Sequence, residues 1–213
     1  MHITKYPQSC LKVEANGRAL LFDLGGPAAA YRARDFGKYD AVIYTHRHAD
    51  HLDIEAAREL HKSGVQLYGN DDVAEAVGGG VVEVVHDDEE LVVAGFRLKS
   101  LALPHCQMVN GTEGAPNNGY LINDQLLLPG DSTDLAGITA RYVAMPIFGP
   151  DISLHDAYKA AIQIKAELVI PVHYDIAEMN PKVFNLLAGQ YDPPFQIKPL
   201  QNGERLKLEP TIA

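Results

Sequence analysis

The sequence has few cysteines and no long apolar run. Its two cysteines, Cys10 and Cys106, are too few for a disulfide framework, so we expect both to be packed thiols of a reducing compartment. No stretch approaches the roughly 20 apolar residues of a membrane span. The start, "MHITKYPQSC", has neither the basic residues nor the apolar run of a signal peptide. These absences predict a cytoplasmic protein with no membrane span.

Basic residues are also scarce. Lys and Arg number 18 against 28 Asp and Glu, and the net charge is −10. The sequence contains no block of lysines or arginines, which argues against a protein that tracks extended nucleic acid. The charge is compatible with a small-molecule substrate, including a small anion held by a local metal site. Nothing in the sequence decides between a monomer and a homo-oligomer.

Length and pattern predict one α/β domain. The 213 residues, 46% of them hydrophobic, suit a single domain that spans residues 1–213. Short β-rich runs such as "ALLFDLGG" and "DAVIYT" alternate with turn signals, and helical patterns lie between them. The clearest helices are "LDIEAARELHKSG", which ends at Gly64, and "SLHDAYKAAIQIKAE", with Ser153 as N-cap; a third begins near Pro181. The glycines of "GGPAAA" and "VGGGVV" match no phosphate loop, so we expect turns there.

Ligand-type side chains are concentrated in "THRHADHLD", directly after the apolar run "AVIY". His46 and His48 are two residues apart in extended or loop backbone, so both side chains leave the same face. Asp50 and His51 follow where the chain turns into a helix that begins near Leu52. A strand on one side and a helix on the other would restrict these groups, which favours a metal site over a solvated polar loop.

A metal site needs further ligands, because zinc-type ions take four or five donors and use nitrogen and carboxylate oxygen where thiolates are scarce. Three segments supply them. His105 follows a strand in "ALPHC", Asp131 follows one in "LLLPGDS", and His173 follows one in "VIPVHYD". The repeated placement of a ligand after a buried strand predicts a site at one edge of a sheet sandwich.

The order of these ligands resembles a known family. "THRHADH", a lone histidine, the aspartate of "PGDS" and the histidine of "VHY" resemble the metallo-β-lactamase fold superfamily, whose loop pattern is His-x-His-x-Asp-His. The resemblance covers nearly the whole chain. It is strongest to the compact metal-dependent hydrolases grouped with ascorbate-6-phosphate-lactonase-like and N-acyl-phosphatidylethanolamine phospholipase-like proteins. It implies a four-layer αββα sandwich.

Carried over residue by residue, the resemblance implies a dinuclear metal site. His46, His48 and His105 would hold the first ion, Asp50, His51 and His173 the second, and Asp131 would bridge them. An anionic bridge offsets the repulsion of two dications roughly 3.5–4 Å apart. Asp23 and Thr45 would orient ligand histidines rather than bind metal. Zinc is the default ion, and manganese, iron and nickel suit the same ligands.

Two other residues concern the reaction. Close relatives often carry histidine where "YPQSC" has Gln8, which leaves that histidine's role without an equivalent here. His155 lies in the first turn of the helix after "FGPDIS", in a segment that borders the site in relatives. It is either an exposed surface residue or a catalytic group that contacts substrate or transfers a proton.

The expected reaction is hydrolysis by a hydroxide that bridges two divalent metals, with Asp50 orienting the hydroxide as well as binding metal. The expected substrate is a small, anionic ester, phosphodiester or lactone, since two dications favour negative charge while the acidic protein repels long polyanions. A neutral lactone or amide is the second choice of substrate. Two other classes stay open: a diiron redox protein, and a non-enzymatic binding or sensing module that keeps its metals for stability.

Overall fold

The computed structural model describes residues 1–31 and 36–209 of the chain. The chain divides into two compact units. Unit 1 contains Met1–Val85, Val92–Phe96 and the segment from Leu200 onward, and unit 2 contains His86–Leu91 and Arg97–Pro199. The expectation of one domain over residues 1–213 stays a prediction.

Unit 1 is built on a seven-stranded sheet of order β14-β1-β2-β3-β4-β5-β6. Its strands are β1 His2–Lys5, β2 Leu11–Ala15, β3 Arg18–Phe22, β4 Ala41–Ile43, β5 Gln66–Gly69, β6 Glu83–Val84 and β14 Arg205–Lys207. Its helices are α1 Gly26–Ala29, α2 Ile54–Lys62 and α3 Asp71–Val77. Ala57 of α2 and Val73 of α3 pack with Leu21, Val42 and Leu67 of the sheet in one buried cluster. The amphipathic helices therefore cover one face of this sheet.

The second sheet also has seven strands, in the order β13-β12-β11-β10-β9-β8-β7. Its strands are β7 Glu90–Val93, β8 Phe96–Ala102, β9 Asn118–Ile122, β10 Leu126–Leu128, β11 Tyr142–Pro146, β12 Leu168–Val172 and β13 Gln196–Ile197. Its helices are α4 Leu154–Gln163 and α5 Lys182–Ala188. Ala160 and Phe184 of these helices pack with Val143 and Val169 of the parallel strands β11 and β12. The prediction of a mixed α/β fold with two sheets is confirmed.

The predicted helices are present and begin close to the expected residues, although α4 ends at Gln163, before the end of the predicted stretch. The α2 helix begins after Asp53, whose side chain accepts a hydrogen bond from the Ala56 amide. The α4 helix has a full capping box, in which Ser153 and the side chain of Asp156 satisfy each other's backbone amides. The α5 helix begins directly after Pro181.

Two short helices of the structure were not predicted from the sequence. "GGPAAA" was expected to be a turn, but Gly26–Ala29 forms α1, with proline in the first turn where its missing N–H costs nothing. The α3 helix was not predicted, although Asn70 caps its start and Gly78 follows its end at φ 75°. The glycines that follow it, Gly79 and Gly80, form a turn as expected. Among the described residues, no helix has the length and apolar character needed to cross a bilayer.

Candidate metal centre

In unit 1, parallel pairing of β3 and β4 brings the first site residues together. Phe22 pairs with Ile43, so the ends of both strands lie side by side, and the Asp23 amide donates to the Ile43 carbonyl at 3.0 Å. Thr45 follows β4 and donates to the Asp23 carboxylate through its amide at 2.8 Å and its hydroxyl at 2.9 Å. Asp23 therefore ties the two strand ends together in a buried position.

The same carboxylate anchors the ligand-type histidines. His51 Nδ1 lies 2.9 Å from Asp23 Oδ2, and His46 Nδ1 lies 3.0 Å from Thr45 Oγ1. Because the Thr45 hydroxyl donates to Asp23, its oxygen accepts from His46, and the carboxylate accepts from His51. Both Nδ1 atoms then carry the proton, so Nε2 is the atom of each ring that could bind a metal ion. The structure therefore gives Asp23 and Thr45 the contacts expected of groups that orient ligand histidines.

The other two ligand-type residues of this loop lie beside these rings. The ring centroids of His46 and His51 are 4.0 Å apart, and those of His46 and His48 are 4.8 Å apart. Asp50 Oδ2 lies 3.8 Å from His51 Nε2. Unit 1 thus gathers four donors, from three histidines and one aspartate, on a single turn of chain.

Gln8 contacts this group directly. Its Nε2 donates to Asp50 Oδ2 at 3.0 Å, and the residue is only 3% exposed. Sequence analysis noted that close relatives often have histidine at the position of Gln8, but it predicted no contact for Gln8. Here it supplies a neutral hydrogen-bond donor to a carboxylate that would also bind metal.

In unit 2, three predicted ligands follow strands that end at the same sheet edge. His105 follows β8, Asp131 follows β10 and His173 follows β12. The strands β10 and β12 are both parallel to β11, while β8 and β10 are both antiparallel to β9, so all of these strand ends lie at one edge. His173 Nε2 lies 3.1 Å from Asp131 Oδ2, and His105 Nε2 lies 3.6 Å from the same oxygen.

These two histidines are also anchored through Nδ1. His105 Nδ1 lies 2.6 Å from the Cys106 carbonyl oxygen, and His173 Nδ1 lies 2.5 Å from the Phe148 carbonyl oxygen. A carbonyl oxygen can only accept, so Nδ1 carries the proton in both rings and Nε2 is the atom that could bind a metal ion. His46, His51, His105 and His173 therefore each use Nδ1 to fix the ring.

Asn117 was not found by sequence analysis, although it joins the segments that carry His105 and Asp131. Its Nδ2 donates to the carbonyls of Leu103 at 3.3 Å and Pro129 at 3.0 Å, and its Oδ1 accepts from the Asp131 amide at 3.3 Å. The residue is 5% exposed. No local motif distinguishes such an asparagine from the neighbouring Asn118, because its role depends on contacts with two distant segments.

Two glycines leave room for site residues, one in each unit. A Cβ on Gly25 would lie 2.0 Å from the Asp50 carbonyl oxygen, and a Cβ on Gly114 would lie 2.2 Å from His105 Nδ1. Real side chains do not tolerate such approaches, so both positions require glycine.

Backbone strain occurs at three residues of the two clusters. Gln8, Asp23 and His173 have positive φ values of 64°, 50° and 61°. A residue with a side chain pays about 1 kcal/mol or more for this conformation. The surrounding hydrogen bonds keep it in place, as is common at functional sites.

The remaining site candidate and the two cysteines lie in distinct environments. His155 is exposed in the first turn of α4. Cys10 is fully buried, and burial raises its pKa, as does the nearby Asp23 carboxylate. Cys106 is half-buried, and burial together with the Asp131 carboxylate raises its pKa to about 11. Both cysteines therefore carry a protonated thiol at neutral pH in the metal-free protein.

A groove of about 840 Å³ on unit 1 is a separate feature. Its lining includes four charged residues that pair among themselves, Arg18 with Asp40 at 2.8 Å and Arg205 with Glu14 at 3.1 Å. None of the ligand-type histidines or aspartates lines it. The donor clusters are therefore the better candidate for chemistry.

The chain is similar in sequence and in fold to known metal-dependent hydrolases. A metal-dependent hydrolase of Methanopyrus kandleri is 27% identical over 231 aligned positions, which cover 96% of this chain and 98% of that protein. The fold is shared with the metallo hydrolase Igni18 of Ignicoccus hospitalis, at a TM-score of 0.77 and 17% identity over 98% of both chains. It is also shared with an isothiocyanate hydrolase from Delia radicum gut bacteria, at a TM-score of 0.73 and 17% identity over 98% of this chain and 99% of that one.

The predicted metallo-β-lactamase fold is thereby confirmed. The family model described as a beta-lactamase superfamily domain matches residues 2–173, a span that contains every ligand-type residue described above. The chain belongs to the β-lactamase superfamily.

Proposed function

We propose that this metal-dependent hydrolase of the β-lactamase superfamily uses one dinuclear centre. His46, His48 and His105 would hold the first ion, Asp50, His51 and His173 would hold the second, and Asp131 would serve both. Unit 1 supplies four of these side chains and unit 2 supplies three. The proposal that they form one centre rests on membership of the superfamily and on the order of ligands in the sequence.

The observation that carries the proposal is the anchoring of His46, His51, His105 and His173 through Nδ1. Histidines that ligate metal donate their other ring N–H to a carboxylate, hydroxyl or carbonyl, which sets the tautomer and the ring orientation. A histidine that only packs in a core does not need such an anchor. Here four separate histidines have one. The donor set, imidazole nitrogen and carboxylate oxygen, fits zinc and also manganese, iron and nickel.

Divalent ions at such a centre supply Lewis-acid polarisation of a substrate oxygen and lower the pKa of water to about 7. The chain's own residues then have defined tasks. Asp50, held by Gln8, would orient the attacking hydroxide as well as bind metal. Asp131 would supply negative charge that offsets the repulsion between two cations. His155 is the candidate for proton transfer to the leaving group, from the exposed first turn of α4.

The proposed substrate is a small anionic ester, phosphodiester or lactone. The segment Ser100–Ala140 contains no lysine or arginine, and Arg47 of the other ligand-bearing loop pairs with Asp72 at 3.2 Å. Most of the attraction for an anion would therefore come from the ions themselves. A long polyanion would extend beyond them against a protein of net charge −10. The fold similarity to an isothiocyanate hydrolase gives a second class of substrate to test, which is neutral molecules with an electrophilic carbon.

The test combines metal analysis with a substrate panel. Protein purified without chelator should contain close to two transition-metal ions per chain by elemental analysis. The panel should include bis(p-nitrophenyl) phosphate, p-nitrophenyl phosphate, simple lactones, an aryl isothiocyanate, nitrocefin and single-stranded RNA. His48→Ala and Asp131→Ala should fold but lose turnover, whereas His61→Ala, on the exposed part of α2, should keep it. A stable, active, metal-free protein would refute the proposal, and binding without turnover would favour a sensing module.

A further inference from the structure

Cys106 lies within a group of donor atoms in unit 2. Its Sγ, one nitrogen of His105 and one carboxylate oxygen of Asp131 all lie within 4.8 Å of one another. Zinc-type ions bind sulfur at about 2.3 Å and nitrogen or oxygen at about 2.0–2.2 Å, so donors this close reach a single ion after small side-chain rotations.

The backbone of Cys106 fixes its position relative to both neighbours. Its carbonyl oxygen accepts from His105 Nδ1 at 2.6 Å, and its amide donates to the Asp131 carbonyl at 2.9 Å. The same residue therefore orients His105, holds the chain at Asp131 and presents a thiol. A cysteine that serves packing alone would be expected in the core, as Cys10 is, rather than half-exposed beside two ligands.

We infer that Cys106 is a metal ligand, which joins His105 and Asp131 on one ion through its sulfur. The inference rests on the proposed dinuclear centre and adds a sulfur donor to its ligands. Binding forms a bond between the sulfur and the ion, and the thiol proton leaves to solvent. Thiolate is a soft ligand, so the site would favour zinc, cobalt and cadmium over manganese or magnesium.

The probe is Co²⁺, added to the metal-stripped full-length protein. Cobalt(II) bound to thiolate has an intense sulfur-to-metal charge-transfer absorption in the near ultraviolet, which nitrogen and oxygen ligands alone do not produce. The wild type and Cys10→Ala should show this band at saturating cobalt. Cys106→Ser and Cys106→Ala should lose it while still binding cobalt. Cys10→Ala is the matched control, because it removes the only other thiol of the chain.

A competition experiment adds a second readout. The preference of the wild type for Zn²⁺ over Mn²⁺ should fall on the order of tenfold in Cys106→Ser, since one soft donor is lost. Cobalt binding without the band in the wild type, or with the band retained in Cys106→Ser, would overturn the inference and leave the dinuclear centre intact. A wild type that binds no cobalt would overturn both.

Discussion

At the scale of single residues, the donor cluster of unit 1 is organised by groups that would not themselves bind metal. Asp23 holds His51 directly and His46 through Thr45, while Gln8 holds Asp50. Charge-assisted hydrogen bonds of this kind are short and directional, so each restricts the rotation of a ligand side chain before any ion arrives. Preorganisation of that kind lowers the entropic cost of binding metal.

Asp23→Asn should weaken metal binding without removing a ligand. An asparagine keeps the shape, but its NH₂ group can accept nothing from His51 or Thr45, and the charge that polarises His51 is lost. We expect a loss of about 10- to 100-fold in metal affinity, measured by competition with a chromogenic chelator. Asp124→Asn, at an exposed turn where the aspartate pairs with Arg97, is the control and should leave the affinity unchanged. Equal losses in both variants would contradict the anchoring role.

Variants of Gln8 should show whether this residue positions Asp50 for the reaction or only stabilises the folded protein. Gln8→Ala removes the donor to Asp50, and since hydrogen bonds to charged groups contribute about 1.5–3 kcal/mol, we expect turnover to fall by about tenfold or more. Gln8→His keeps an N–H donor and tolerates the positive φ of this position, so it should retain most of the activity. Steady-state kinetics and thermal unfolding should be measured together. A Gln8→Ala protein with wild-type kcat and kcat/KM would show that Asp50 needs no such support.

At the scale of elements, the loop between β4 and α2 is held from outside as well as at its ends. The backbone of Gly25, just before α1, packs against the peptide between Asp50 and His51. The residue that precedes the short α1 helix therefore supports the turn that contains Asp50 and His51. Its sequence signal is only a proline after two glycines, which explains why a turn was the natural expectation.

Gly25→Ala should disrupt the ligand turn. The added Cβ would overlap the Asp50 carbonyl oxygen at 2.0 Å and the His51 amide nitrogen at 2.5 Å, so the turn must move. We expect a loss of about 1–3 kcal/mol in unfolding free energy, measured with urea, together with reduced metal content. Gly26→Ala is the matched control, because the nearest atom to its Cβ, the Ala49 carbonyl oxygen, lies 3.4 Å away and the residue is helical. Similar losses in the two variants would refute the close approach as the cause.

At the scale of the whole molecule, metal and stability should be linked. The ligands proposed for each ion include residues that are distant from one another along the chain, so such an ion would bind only the folded chain. Such binding stabilises by about 4 kcal/mol when the free ion is at 1,000 times its Kd. Removal of metal with a chelator should therefore lower the unfolding midpoint by several degrees, and added zinc should restore it.

His48→Ala provides the comparison for that measurement. With one proposed ligand missing, its affinity for metal is lower and the midpoint should respond less to the chelator. Differential scanning fluorimetry with and without chelator gives both values in one experiment. An unfolding midpoint that is insensitive to chelator in the wild type would contradict a structural link between metal and fold.

Much of the candidate site could be predicted from local sequence. One short segment contains His46, His48, Asp50 and His51, and an apolar run precedes each of His105, Asp131 and His173. Local sequence was therefore enough to predict that these donor side chains lie at strand ends. The N-cap at Ser153 could be predicted for the same reason, because a cap depends on a few neighbouring residues. The α3 helix had comparable signals in Asn70 and Gly78 but was too short for its periodicity to be recognised.

The amino-acid sequence by itself determined the donor types, their order and the alternation of strands and helices, because these depend on side-chain chemistry and on periodicity over a few residues. The family resemblance implied supporting roles for Asp23 and Thr45, but only the tertiary structure decided which contacts support the donors. The pairing of β3 with β4 brings Asp23 to Thr45, and the close passage of two segments places Asn117 between Leu103 and Asp131. Gln8 meets Asp50 in the same way. These partners are distant along the chain, and their contacts arise from strand pairing and packing rather than from any local pattern.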